Sequence, residues 1–178
     1  MSEQSTALRS SPFSVEIQPT PDDIRVILRG VDDPEIPGLS VIDLGVIPAI
    51  TVHDTRIIIA LTPTFSGCPA IDYMQREIEN TVKSAYPDYD VQVSVTFETA
   101  WNSNMITEAG LAVLRTRGFA PPPRHDGFFE LDILLHVECP HCHSTHTVMQ
   151  SPFGPTLCRS IHYCNTCLQA FEQFKPLA

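Results

Sequence analysis

Two short cysteine pairs restrict this chain more than anything else in it. "CPHC" at 139–142 and "CNTC" at 164–167 repeat a Cys-x2-Cys spacing. Two residues between cysteines let a tight turn aim both sulfurs at one point. Two such knuckles on neighbouring hairpins complete a thiolate tetrahedron. The 21 residues between the pairs are one beyond the usual zinc-site range. Cys139, Cys142, Cys164 and Cys167 are therefore the expected ligands of one structural metal ion. Zinc is the expectation, and a rubredoxin-like iron site is the alternative, since four thiolates suit either metal. A segment of about 50 residues rarely builds an adequate core, so metal binding would supply folding energy. The strand-like runs Leu131–Val137, His146–Met149, Ile161–Tyr163 and Ala170–Phe174 flank the knuckles. Residues 128–178 thus read as a β-rich zinc ribbon. Cys158 reads as a packed core thiol or else as an exchangeable fifth ligand. His141, His143, His146 and His162 read as surface groups or as outer partners of the metal site.

Charge narrows the partners. The formal net charge is −10, which disfavours nucleic acid, whose phosphates need Lys and Arg. It disfavours an anionic membrane surface equally. From 131 to 178 the charges are Arg159 and Lys175 against Asp132, Glu138 and Glu172, so the ribbon has no basic patch. No apolar run is long enough for a transmembrane helix. "MSEQSTALRSSPFSVEIQP" lacks the basic-then-apolar order of a secretory signal, so residues 1–20 read as a flexible tail. The expected compartment is the cytosol, where thiols stay reduced and paired cysteines more often bind metal than each other.

Residues 21–118 read as a small α/β (α+β) unit with a mixed sheet, in the order helix, strand, strand, helix, strand, helix. A first helix is expected over Pro21–Val31, capped by Thr20, with Pro21 at its first position and Asp22 and Asp23 at its positive end. Strands are expected over Val41–Val52 and Arg56–Leu61, joined near His53-Asp54. "RIIIAL" looks buried on both faces. A long helix follows over Pro69–Ala85, lined by Ile71, Met74, Ile78 and Val82. Val91, Val93, Val95 and Phe97 alternate along the next strand. A last helix, Glu108–Arg117, is capped by Thr107 and closed by Gly118. "FAPPPRHDG", 119–127, reads as a stiff Pro-rich linker to the ribbon.

One thiol stands apart. Cys68, in "TPTFSGCPA", is expected at the N-cap of the long helix with Pro69 as its first residue. Unbonded N–H groups and the helix dipole there favour an anion, so a depressed thiol pKa is expected. The alternative is a small buried residue in a turn. His53 offers no evident pairing as a base, and no resolving cysteine lies two residues away. A soft-metal ligand remains, with Asp33 and Glu35 of "DPEIPG" either helping or merely capping their own turn.

"DPEIPGLSVIDLGVI", "TPTFSGCPA", Trp101 and "GFAPP" resemble the small α/β domain of SufT-like iron–sulfur assembly factors. "CPHC…FGPTLC…CNTC…FEQFK" resembles the zinc-ribbon tail of one branch, PaaD, associated with phenylacetate degradation. The likeness runs from about Pro21 to Lys175. It departs from the family at His143 and at "FGPTLC", where the family has "FGSTAC". The resemblance implies an accessory role beside a multicomponent phenylacetyl-CoA monooxygenase (1,2-epoxidase). The client would be its [2Fe–2S] reductase or its di-iron oxygenase component, and the cargo a transient Fe–S cluster or iron. The family's reactive cysteine maps onto Cys68, its acidic loop onto Asp33 and Glu35, and Thr62 and Thr64 would flank the same pocket. A homodimer is a further expectation, because one thiolate is too few to hold a cluster. The competing readings are a structural subunit of the monooxygenase without cluster chemistry, and a thiol enzyme in its own right.

Overall fold

The computed structural model describes residues 18–127 and 137–177. Helix α1, Pro21–Leu28, opens with a capping box. Thr20 Oγ1 accepts from the Asp23 amide at 3.2 Å, and Asp23 Oδ2 accepts from the Thr20 amide at 2.8 Å. It stops three residues short of Val31. The amides of Gly30 and Val31 bond back to Ile27 and Leu28 and tighten the last turn. Ile24, Leu28 and Val31 are buried all the same.

The expected strand over Val41–Val52 exists only in its second part, β1, Ala49–His53. Val41, Leu44, Val46 and Ile47 are buried, but in a tight turn rather than a strand. Leu44 N–H reaches Ser40 O at 2.8 Å, and Gly45 N–H reaches Ile42 O at 3.0 Å. Gly45 has φ +77°, and a Cβ there would lie 2.3 Å from the Met105 carbonyl oxygen. An apolar run guarantees burial, not extension. Here side-chain bonds to Asp43, from Ser40 at 2.8 Å and Thr107 at 2.9 Å, hold the turn.

β1 turns through Asp54, at φ 49°, into β2, Arg56–Leu61. β2 lies between antiparallel β1 and parallel β3, Asp90–Val95. The parallel step requires a crossover, which α2, Ile71–Ala85, supplies. Met74, Ile78 and Val82 of α2 meet Ile57, Ile59, Leu61, Val91 and Val93 in one core. Only one face of β2 is fully buried, since Ile58 and Ala60 are half-exposed. Phe97, past the end of β3, is exposed. Helix α3, Glu108–Thr116, has Thr107 as its cap and ends before Gly118, at φ +82°.

The second sheet changes the expected organisation. Phe119–Ala120, read as the start of a linker, form strand β4, which pairs in parallel with β7, Ala170–Phe174. The sheet order is β4-β7-β6-β5, with β5 at Thr147–Ser151 and β6 at Arg159–Cys164. The run expected over Leu131–Val137 lies outside the described residues except for Val137.

The two sheets share a core. Phe174, 2% exposed, sits among the side chains of the first unit with its ring 5.9 Å from that of Trp101. Ser103 N–H donates to Leu177 O at 2.9 Å, and the Leu177 amide returns a bond to Ser103 Oγ at 3.2 Å. Phe174→Ala should therefore cost about 3–5 kcal/mol and lower the urea midpoint of the whole chain. Trp101 is the single tryptophan, so its fluorescence and the far-UV circular dichroism should report one shared transition. Two separated transitions in the unaltered protein would show that the sheets unfold independently.

Candidate functional site

The four ribbon cysteines converge. Their sulfurs all lie within 4.8 Å of one another, with Cys139 and Cys167 at 3.7 Å and Cys142 and Cys164 at 3.5 Å. A tetrahedron with bonds of about 2.3 Å has edges of about 3.8 Å, so the set fits a tetrathiolate metal site. The knuckles repeat one backbone pattern. Cys139 N–H bonds Ser144 O while Cys139 O receives His143 N–H, at 3.0 and 2.9 Å. Cys164 N–H bonds Gln169 O while Cys164 O receives Leu168 N–H, each at 2.9 Å. His143 and Leu168 both take φ 60°, which closes each turn under its pair of sulfurs. Among the histidines of the tail, His141, His143 and His146 are exposed. His162 differs from the surface expectation. It is fully buried, bonded to Ser160 Oγ at 2.9 Å and stacked on Phe171. Burial pushes its pKa down and keeps the ring neutral.

Cys158 is not a fifth ligand of that group. It lies in a different place, a cavity of about 140 Å³ lined by Asp33, Glu35, Thr64, Cys68, Cys158 and Arg159, with Phe174 as a wall. The structure thus brings together Asp33, Glu35, Thr64 and Cys68, as the sequence predicts, and adds two residues that sequence reasoning did not connect to them. Thr62 is elsewhere. It is 1% exposed, and its hydroxyl lies 2.9 Å from both Thr96 O and Thr99 O, a purely structural position.

The local setting of Cys68 also differs from expectation. Helix α2 begins at Ile71 with Ala70 as its cap, so Cys68 and Pro69 precede it. Cys68 N–H bonds Phe65 O at 3.0 Å, and the Ala70 amide donates to its sulfur. That single donor does not dominate. Burial pushes the thiol up from its ordinary value, and the charges of Asp33, Cys158 and Glu35 push the same way. The expected thiolate is therefore a neutral thiol at pH 7 when the cavity holds no cation.

The carboxylates have distinct duties. Asp33 Oδ1 accepts from the amides of Glu35 at 2.8 Å and Ile36 at 3.2 Å, which shapes the acidic turn. Asp33 is largely buried, and desolvation pushes its carboxyl up. Glu35 is ion-paired through Oε2 with Arg159 Nη2. The same guanidinium lies 3.0 Å from Glu172 Oε2 and donates from Nε to Thr156 Oγ1 at 2.7 Å. Arg159 thus ties the acidic turn to the second sheet at the edge of the cavity. Its partner Glu35 lies far away in sequence, so no local pattern announced the pair.

Comparison with known proteins adds the family. Residues 128–175 match the PaaD zinc beta ribbon domain, and residues 21–95 match a family described as iron-sulfur cluster assembly protein. A protein of Escherichia coli (strain K12), provisionally named as a subunit of 1,2-phenylacetyl-CoA epoxidase, is 35% identical over 159 residues, covering 88% of this chain and 93% of that protein. The chain belongs to the PaaD family. Its first unit also resembles an Fe-S protein maturation auxiliary factor of Porphyromonas gingivalis (strain ATCC BAA-308 / W83), 36% identical over 100 residues, or 56% of this chain and 94% of that one. The crystal structure of a domain of unknown function, DUF59, from Bacillus anthracis is 22% identical over 52% of this chain and 89% of that chain, with a TM-score of 0.48. In this PaaD-family chain no helix among the described residues is long and apolar enough to cross a membrane.

The raised Cys68 pKa has a direct readout. With the ribbon thiols metal-bound, alkylation of Cys68 by iodoacetamide should be slow at pH 7. It should climb about tenfold per pH unit toward and beyond the ordinary thiol value of 9.0. Peptide mass spectrometry resolves Cys68 from Cys158. A rate that levels off near neutrality would show a stabilised thiolate instead.

Proposed function

We propose that this chain is a cytosolic accessory factor that carries iron or an iron–sulfur cluster to a component of a phenylacetyl-CoA monooxygenase, its [2Fe–2S] reductase or its di-iron oxygenase. It is not itself the catalyst. The observation that carries this reading is the opening of Cys68 onto a cavity shared with Asp33, Glu35 and Thr64. A soft thiol ligand and a nearby carboxylate suit a ferrous ion or the edge of a cluster. The kinship with a protein named as a maturation factor supports the same cargo.

Transfer in this scheme is ligand exchange. A client thiolate takes the place of Cys68 on iron, and the released Cys68 sulfur takes up a proton. No electron changes hands. A thiol that prefers its neutral form leaves the metal more readily than one held as an anion. The raised pKa of Cys68 therefore favours release. Loading is correspondingly pH-dependent, since the metal must displace a proton, and affinity should rise with pH.

The ribbon metal has a different part. We infer zinc at Cys139, Cys142, Cys164 and Cys167, one ion per chain, filling a closed structural site. It fixes the two knuckles and so the sheet that walls the cavity. The purified protein should be colourless before any iron is added. Strong visible absorption at that stage would indicate iron in the ribbon. Cys139→Ala should open the site and loosen the sheet, and the shared Phe174 core would spread the loss into the first unit.

One feature favours the structural-subunit reading. Phe65 and Leu157, 40% and 45% exposed, sit at the cavity lining where a partner could cover them. The two readings separate experimentally. Zinc-loaded protein is treated anaerobically with iron and sulfide, then mixed with apo-reductase or apo-oxygenase. Cys68→Ser is expected to lose most of the bound cluster or iron and most of the client activation. If the variant matures the client as well as the unaltered chain does, the carrier role is wrong. Stoichiometric co-purification unchanged by Cys68→Ser would then support the structural subunit.

A further inference from the structure

Resting on the reading of Cys68 as the cargo-binding thiol, we propose that Cys158 is the second protein ligand of the same site. A single chain then offers one thiolate from each of its two sheets to a thiophilic metal ion or cluster edge.

Placement is the first argument. Cys68 lies on the turn before α2, and Cys158 lies on the turn before β6. Both line the one cavity, and both are partly exposed to it. The cavity, at about 140 Å³, is roughly ten times the ~10–15 Å³ minimum for one water. It has room for an ion with several small ligands. The backbone of Cys158 is fixed, because its carbonyl accepts from Lys175 N–H at 2.9 Å next to the β6–β7 ladder.

The surroundings of Cys158 suit a sulfur that becomes an anion on binding. Arg159 Nε donates to Thr156 Oγ1 at 2.7 Å, which occupies a lone pair of that oxygen and leaves its proton free. Thr156 Oγ1 lies 3.2 Å from Cys158 Sγ, so the hydroxyl can donate to it. The chain Arg159–Thr156–Cys158 passes positive character toward the sulfur. Burial still outweighs it in the uncharged cavity and pushes the Cys158 thiol up. Both cavity thiols thus wait as neutral groups, and an arriving cation displaces two protons. The other ligand positions are left to sulfide, to a small thiol or to the client. Glu35 is already engaged by Arg159, whereas Asp33 remains at the cavity as the nearby carboxylate.

Two thiolates in one chain remove the need for a second copy. The homodimer expected from a single cysteine is then not required to hold cargo.

Cobalt(II) tests this without any client. It binds a given site more weakly than zinc, so the ribbon of the zinc-loaded full chain keeps its metal. The near-ultraviolet sulfur-to-cobalt band, per bound cobalt, scales with the number of thiolates. The unaltered chain should bind one cobalt with a two-thiolate band whose intensity is unchanged by dilution. Cys68→Ser and Cys158→Ser should each halve the band per bound cobalt. Each should weaken binding by more than the ~10-fold that loss of an outer partner costs. Zinc content and circular dichroism confirm that each variant is folded. If Cys158→Ser does not fold, the band of the unaltered chain set against Cys68→Ser still counts the thiolates.

A full-strength band in Cys158→Ser, a one-thiolate band or none in the unaltered chain, or a band lost on dilution would each overturn the proposal. The two readings fail separately. If Cys68→Ser abolishes client maturation while cobalt shows one thiolate, the carrier stands and Cys158 is not a ligand. If cobalt shows two thiolates but neither variant affects maturation, the metal site stands and the carrier role falls.

Discussion

The contact between Arg159 and Glu35 decides where everything else in the molecule can sit. The guanidinium belongs to the second sheet and the carboxylate to the acidic turn of the first unit. Arg159 is 6% exposed, so its charge is taken from water and must be answered nearby. Glu35 and Glu172 answer it from the two sides, and the Phe119 ring lies 5.5 Å from its centre. A buried ion pair is seldom a large net source of stability, because desolvation offsets much of the attraction. Its effect here is register. Only one docking of the two sheets satisfies that guanidinium, and in that docking Cys68 faces Cys158.

The same docking explains the unusual condition of the thiols. Either turn alone would lie at the surface, with water to support a thiolate. Brought together beneath Phe174, both cysteines lose that water, and their neutral forms prevail. The ribbon is therefore more than a handle for partners. Its metal holds the knuckles, the knuckles hold β6 and β7, and those strands carry Cys158, Arg159 and Phe174 to the cavity. A structural ion and a separate binding site are mechanically connected without sharing a ligand.

Local chemistry was readable where a few adjacent residues decide the outcome. Thr20, Pro21 and Asp23 specify the start of α1, and the cap at Thr107 and the stop at Gly118 bracket α3. The cysteine spacing specified the tetrathiolate. Reading failed where a distant partner decides. Val41–Ile47 has the hydrophobicity of a strand, yet Thr107 and the carbonyl of Met105 make it a turn. Cys68 has the sequence context of a helix cap. Its pKa is set instead by the sheet folded over it, and the run of prolines after Ala120 hid a strand whose partner lies near the far end of the chain.

That strand has a mechanical consequence. β4 begins at the residue after Gly118, so the second sheet is joined to the end of α3 with no slack. The ribbon is a wall bolted at two edges, not a door on a hinge. Swinging it outward would tear the β4–β7 pairing and pull Phe174 from its socket. Passage of cargo therefore falls to the two turns at the mouth, around Phe65 and Leu157, and whichever protein presses on those side chains holds the latch.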